Sequence, residues 1–326
     1  MQFRDLGRTG LRVSAVGVGC MMFGWRADEA EAERIVAAAA DAGINLFDTS
    51  VSYGRGASET ILGSVLKRLK LRDSVLVATK VGLASEPEPG PNEVGNGRHN
   101  IMRQCELSLR RLQADHIDIL QIHYPSHDVP IEETMRALDQ LVRDGKVRYV
   151  GTSNFAAWRI VESLWRCERH HLLPISCHQV RYNILDRRAE CEVFDVAEQY
   201  GLGVFTYSPL AEGILSGKYR TDAPFPPDSR FAMASRNSDH AGRLTPEVLR
   251  AVDGLVNAAR KRDVPAAALA AAWILRTKTV SSILAGPSRQ EQLQAFLDAP
   301  ALQIDDDFLA MIDALNGKGK SLIPAP

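Results

Sequence analysis

The chemistry in this sequence starts at Tyr53. A phenol is a poor acid at neutral pH, with a reference pKa of about 10. A tyrosine that must give up a proton therefore needs a nearby cation favouring its ionised form. Lys80 is the expected cation. A buried ammonium is costly alone, and Asp48 is expected to hold it in an ion pair. His123 is placed to orient a carbonyl oxygen. Together the four describe a proton-donating site for an oxygen that becomes an alkoxide as hydride reaches its carbon. Singly they prove little: Tyr53-Gly54 reads as a loop aromatic, Asp48 as a helix cap, Lys80 as a surface cation and His123 as a loop histidine.

Placement along the chain unites them. Asp48 follows the apolar run 44–47, Lys80 ends 75–79 and His123 ends 117–122. Ser153 and Asn154 follow 147–151, Gln179 closes 174–178, Tyr207 follows 203–206 and Gly286 follows 281–285. If these runs are parallel strands, every one of these groups converges on one rim, where (β/α)8 barrels build their active sites. Eight strand patterns, near 16–19, 44–47, 75–79, 117–122, 147–152, 175–179, 203–206 and 281–285, alternate with helical patterns. That alternation predicts an α/β fold, a closed (β/α)8 TIM barrel. An open doubly wound sheet would carry G-x-G-x-x-G after its first strand, but Gly17-Val18-Gly19 runs into Cys-Met-Met.

The first helix is marked by a capping box at Asp28 and Glu31, a face of Ala32, Ile35, Val36 and Ala39, and a stop at Gly43. The second repeats this with Ile61, Leu62, Val65, Leu66 and Leu69. Further helices are expected near 101–113, 131–144, 155–169, 189–200, 266–277 and 289–298, with Gly145 and Gly201 as C-terminal stops. Residues 2–14 read as an N-terminal β-hairpin covering the barrel's amino-terminal mouth. Helices near 247–262 and 305–315 are extra elements outside the barrel. No repeat or boundary divides the chain, so 1–326 is expected to be a single domain. The Pro-, Gly- and Ser-rich stretches 83–99 and 220–246 follow strand ends and are expected to shape a substrate pocket. Trp25, just past the first strand, is assigned to an apolar wall of that pocket.

The formal net charge of -1 gives no electrostatic reason for nucleic acid or acidic membrane as a partner, and leaves small-molecule chemistry open. The five cysteines form no C-x-x-C pair, which points away from disulfide frameworks and zinc knuckles towards a reducing compartment. The first residues lack a secretory apolar core, and no apolar stretch approaches the roughly 20 residues of a membrane span, so a cytoplasmic location is expected. A homo-oligomer is left open. His170-His171 reads as a helix terminus rather than a metal site, and no metal is expected. Arg110-Arg111 and Lys67-Arg68 read as solvated helix faces, His178 as structural and Cys20 as a small buried hydrophobe.

Seven segments resemble the signatures of the aldo-keto reductase superfamily. They are DTSVSYG at 48–54, VLVATKVG at 75–82, ILQIHYP at 119–125, VGTSNF at 150–155, HQVRYN at 178–183, YSPLAEGILSGKY at 207–219 and GPSRQEQL at 286–293. They span nearly the whole chain in the family's order. The resemblance implies a barrel that binds NADPH, or sometimes NADH, in extended form and reduces aldehydes or ketones. It implies that Tyr53 is the general acid, that Lys80 lowers its pKa, that Asp48 positions Lys80 and that His123 orients substrate. Ser153, Asn154 and Gln179 would bind the nicotinamide carboxamide and Tyr207 would stack on its ring. Ser208, Pro209, Leu210, Ala211, Lys218 and Arg230 would line the pyrophosphate stretch, and Gly286, Ser288, Arg289 and Gln292 would surround the adenosine.

Arg289 bears on the choice of cofactor, because a guanidinium pairs bidentately with a 2'-phosphate and gains nothing comparable from a hydroxyl. NADPH is therefore preferred. One departure is that related sequences often continue Q-L-x-E-N, whereas this chain has Ala295 and Phe296 where the acid and amide would contact adenine. Two other readings share these motifs. One is oxidation of a sugar hydroxyl with NAD(P)+, as in aldose dehydrogenases. The other is a cofactor-binding regulatory subunit like the channel-associated β subunits, weakened because His123 stands where they carry an asparagine.

Overall fold

The computed structural model describes residues 1–220, 222–227, 229–233 and 241–324; parts of the expected 220–246 loop, namely 221, 228 and 234–240, lie outside the described residues. The chain opens with two short strands, β1 (Phe3–Asp5) and β2 (Arg12–Ser14), paired antiparallel. Strands and helices then alternate: β3 (Val16–Gly19), α1 (Glu29–Asp41), β4 (Leu46–Asp48), α2 (Ala57–Arg68), β5 (Leu76–Val81), α3 (Arg98–Leu112), β6 (Ile117–Ile122) and α4 (Ile131–Arg143). The second half continues with β7 (Val147–Ser153), α5 (Ala157–Arg169), β8 (Cys177–Arg181), α6 (Val193–Tyr200) and β9 (Gly203–Tyr207). After β9 come α7 (Arg230–Met233), α8 (Pro246–Lys261), α9 (Ala266–Leu275), β10 (Val280–Ala285), α10 (Gln294–Asp298) and α11 (Asp306–Leu315).

Strands β3 to β10 pair in parallel, in order, and β10 closes on β3 through Leu284 opposite Gly17. The fold is the expected (β/α)8 barrel with its N-terminal hairpin. Among the described residues, no helix is long and apolar enough to cross a membrane.

Two apolar layers hold it. The larger lies between strands and helices, where α1 buries Ala32, Ile35, Val36 and Ala39, and its N-cap Asp28 accepts from the Glu31 amide. Only half of the expected capping box forms, since the Glu31 carboxylate receives Arg34 and the Gln290 amide instead. Full burial of one such aliphatic side chain contributes about 1.5–3 kcal/mol. The smaller layer is inside the barrel: Leu46, Ala78, Ile119, Cys177, Phe205 and Leu284 meet Leu6 and Val13 from the hairpin, which plugs the amino-terminal mouth. Helix α9 is buried on nearly all sides, covered by α8 and α10 instead of solvent.

Several boundaries and readings change. β4 begins at Leu46 rather than residue 44, because Asn45 ties the hairpin down: its Oδ1 accepts the Ser14 amide at 2.7 Å and its Nδ2 donates to the Arg12 carbonyl at 3.0 Å. The helix expected from 189 starts at Val193, behind a 3-10 turn where Arg187 pairs with Glu190. Arg111 is not on a solvated face: it pairs with fully buried Glu59 at 3.4 Å and packs where a side chain on Gly56 would stand. His170 caps α5, and its Nε2 lies 3.1 Å from the Glu132 carboxylate, a partner not foreseen. His178 is fully buried, with Nδ1 2.9 Å from the Thr152 hydroxyl, and Cys20 is buried as expected.

Candidate active site

In a strand successive side chains alternate faces, so a residue two places beyond an interior apolar one also points inward, one step nearer the rim. Asp48, Lys80, Gln121 and Gln179 stand in that relation to Leu46, Ala78, Ile119 and Cys177. All four are buried. The Lys80 ammonium makes three donations: an ion pair to Asp48 Oδ1, 2.9 Å to the Thr49 carbonyl and 3.3 Å to the Tyr53 hydroxyl. The other Asp48 oxygen accepts from Gln179 Nε2 at 2.9 Å and Gln121 Nε2 at 3.2 Å. Burial pushes the ammonium down, but Asp48 and Tyr53 carry it above its ordinary value, so it stays charged.

Tyr53 is presented by a tight reversal. Gly54, Arg55 and Gly56 all take left-handed backbone angles (φ 56, 56 and 88), which turn the chain from the loop after β4 straight into α2. Its hydroxyl meets Lys80 as expected, yet its acidity does not simply follow Lys80. Burial pushes the phenol up, the ammonium pulls it down, and burial wins. Lys80 does lower the Tyr53 pKa, as the resemblance implies, and burial more than offsets it. The phenol is held protonated.

His123 follows β6, its amide bonded to the Val81 carbonyl at 2.9 Å. Its ring meets Tyr53 edge-on, with centroids 5.7 Å apart, and stacks on Tyr124. Burial, helped by the Lys80 charge, depresses the imidazole to about 3, so it is neutral. Its Nδ1 lies 3.1 Å from Ser50 Oγ. Asn154 ties the next strands in from a left-handed position (φ 60): its amide bonds the Gln179 carbonyl, its Nδ2 the His123 carbonyl at 3.0 Å, and its Oδ1 accepts from Tyr207 at 2.7 Å. Ser153 is buried beside it, its Oγ accepting from Asn154 Nδ2.

A cavity opens above this layer. It is lined by Asp48, Tyr53, Gln179 and Tyr207, continues past Ser208, Pro209, Leu210, Lys218 and Arg230, and includes Gly286, Ser288 and Gln292. Ala295 and Phe296 also line it, and Phe296 belongs to the core as well, so that wall is apolar. Ala211 is buried behind the lining in a left-handed turn (φ 46). Lys80, His123, Ser153 and Asn154 pack behind Tyr53, Gln179 and Tyr207 without lining the cavity, and two further expected residues stand apart from it. Trp25 is 46% exposed, with the Arg230 guanidinium 5.8 Å from its ring, and lines a neighbouring groove with Arg289. Met21 and Met22 form the apolar wall expected of Trp25, because the chain past β3 turns them inward and Trp25 outward.

Reasoning from sequence missed Arg26, Glu212, Gln121 and Ser50. Arg26 lines the cavity, and burial together with Arg26 lowers the Lys218 pKa. Glu212 joins Arg230 at 3.4 Å to Arg243 at 2.7 Å, linking two points of the segment after β9. The only sequence signal for Arg26 and Glu212 was their position just beyond strand ends.

This donor set fits an extended nicotinamide dinucleotide: an amide and an aromatic face beside Tyr53, cations along the middle, and small polar residues beyond. Residues 15–317 match the model of the aldo/keto reductase family. Among curated proteins, the chain is 36% identical over 302 residues to a probable voltage-gated potassium channel subunit beta of Arabidopsis thaliana, covering 92% of this chain and 91% of that one. Its counterpart in Oryza sativa subsp. japonica is 37% identical, covering 90% and 89%. The uncharacterized oxidoreductase YrpG of Bacillus subtilis (strain 168) is 35% identical over 328 residues, covering 98% and 97%.

Proposed function

The chain belongs to the aldo/keto reductase family of NAD(P)H-dependent oxidoreductases, and from that premise we propose that it reduces an aldehyde or ketone to an alcohol with NADPH, Tyr53 acting as the general acid. The observation that carries this reading is the Tyr53 hydroxyl on the cavity wall, 3.3 Å from an ammonium that Asp48 holds in place. The nicotinamide, when bound, supplies the hydride.

The chain's own residues do the rest. Gln179 and Asn154 offer amides for the carboxamide, and Tyr207, fixed by its bond to Asn154, offers the ring a face. Lys218, Arg230 and Arg26 would hold the diphosphate, and Arg289, from the neighbouring groove, the 2'-phosphate. A carbonyl oxygen bound between the Tyr53 hydroxyl and His123 would meet preorganised donors for the charge it gains. Lys80 keeps one proton directed at Tyr53 and stabilises the phenolate left after transfer. Burial keeps the phenol protonated before transfer, and the Lys80 charge offsets part of the cost of losing that proton. Residues 1–326 work as one domain in this reading.

The relatives named as channel subunits favour a second reading, a cofactor-binding regulatory protein. Initial rates separate the readings: NADPH or NADH loss with a panel of carbonyls, and NAD(P)+ reduction with aldoses. Carbonyl-dependent NADPH loss faster than the reverse is the expected result. Faster aldose oxidation would replace it with a dehydrogenase, and tight cofactor retention without turnover would replace it with the regulatory protein.

A further inference from the structure

His123 serves as a donor to a carbonyl oxygen only in one of its two neutral tautomers, the one carrying its proton on Nε2. The opposite tautomer would turn a nitrogen lone pair towards the oxygen and repel it. Since the ring is neutral, something must choose, and what Nδ1 touches makes the choice. That neighbour is Ser50, whose Oγ is 3.1 Å away and buried.

A hydroxyl has one proton and two lone pairs. Around Ser50 Oγ stand the Ser52 amide, donating at 3.3 Å, and the Ser52 hydroxyl at 3.0 Å. Ser50 Oγ can also donate to the Lys80 carbonyl at 3.4 Å, a longer contact to an oxygen that accepts the Val51 amide at 3.1 Å. Taking the Ser52 hydroxyl as a donor alongside the Ser52 amide fills both Ser50 lone pairs, and the Ser50 proton then goes to the nearer of its two acceptors, Nδ1 at 3.1 Å rather than the Lys80 carbonyl at 3.4 Å. We propose that Ser50 is a positioning residue which donates to His123 Nδ1 and so holds the imidazole as the Nε2–H tautomer, ready to bond the carbonyl oxygen beside the Tyr53 hydroxyl. The Ser50-Val51-Ser52 stretch is then part of the reaction machinery, although neither serine reaches the reacting atoms.

The inference rests on the carbonyl-reductase reading, so the first test is one that needs no turnover. Nitrogen-15 NMR of the protein labelled at histidine is expected to show the His123 proton on Nε2 in the wild type and a mixture of both tautomers in Ser50→Ala. A wild-type proton on Nδ1, or an unchanged tautomer in Ser50→Ala, would overturn the role of Ser50 even if no carbonyl were reduced. Kinetically, Ser50→Ala is expected to lower kcat by about ten- to a hundredfold, less than the roughly 10²–10³ lost with an oxyanion donor itself, and to leave the NADPH KM unchanged. Ser50→Thr, which keeps the hydroxyl, should restore most of it. In a His123→Asn background Ser50→Ala should cost nothing further, because the serine acts only through the imidazole. Equal losses in both backgrounds would mark Ser50 as merely structural and contradict the proposal.

Discussion

Four strands of this barrel carry, two residues apart and on the same inward face, an apolar side chain and a polar one. Leu46, Ala78, Ile119 and Cys177 form a floor closed by Leu6 and Val13, and Asp48, Lys80, Gln121 and Gln179 form the layer above it. Both layers are out of water, and they differ in how they are satisfied. The floor needs only volume. The upper layer needs partners for its charges, and it has them: one Asp48 oxygen takes Lys80, the other takes two amides, and the third lysine proton is left for Tyr53. The barrel interior is thus a core whose last layer has been turned into a polar device, with stability supplied from below and reactivity spent above.

The comparison breaks most readily at Lys80. Lys80→Met leaves the Asp48 carboxylate buried without its cation, which is expected to cost about 3–5 kcal/mol of stability and to remove most turnover as well; melting temperature and kcat measured together check it. Loss of only one of the two would mean the layers are not coupled as described. Phe205→Ala, in the floor, is expected to cost a similar 3–5 kcal/mol by leaving a cavity, while kcat per folded molecule stays near that of the wild type. Denaturant unfolding and active-site titration separate these effects. Further along the cavity, Arg289→Ala is expected to raise the KM for NADPH by about tenfold or more, the worth of one or two hydrogen bonds to a charged group, and to leave that for NADH nearly unchanged. Equal effects on both would reject the 2'-phosphate contact. The smallest effect is an absence. With His123 held near 3 and Tyr53 above its ordinary value, kcat should show no break near pH 6.5. Activity requires the protonated phenol, so it should persist below the Tyr53 pKa and be lost only as pH rises through it. A break near 6.5 in the pH–rate profile would show His123 titrating.

The barrel was legible because its strands are short β-branched runs ending in polar residues, a pattern that β5 and β8 follow even though they extend to Val81 and Arg181. Gln121 stayed hidden because it lies inside the mostly apolar run Ile117–Ile122 rather than at its end, although it is the inward residue of the polar layer. Arg111 was misread because its partner Glu59 sits on the buried face of α2, and helical periodicity does not reveal a carboxylate buried with a distant cation. Trp25 was misplaced because its direction depends on how the loop past β3 turns, which composition does not set. The net acidity of Tyr53 required the full burial of its surroundings, a property of the closed fold rather than of any motif.

The most direct test is the rate of carbonyl-dependent NADPH loss in Tyr53→Phe, measured beside NADPH binding by fluorescence titration. Removing the proposed proton donor while keeping the ring should lower turnover by on the order of 10²–10⁴-fold and leave NADPH affinity within about twofold, since the hydroxyl contacts Lys80 at the end of the cavity away from the cations assigned to the phosphates. Turnover close to the wild-type rate in that variant would show that the proton comes from elsewhere.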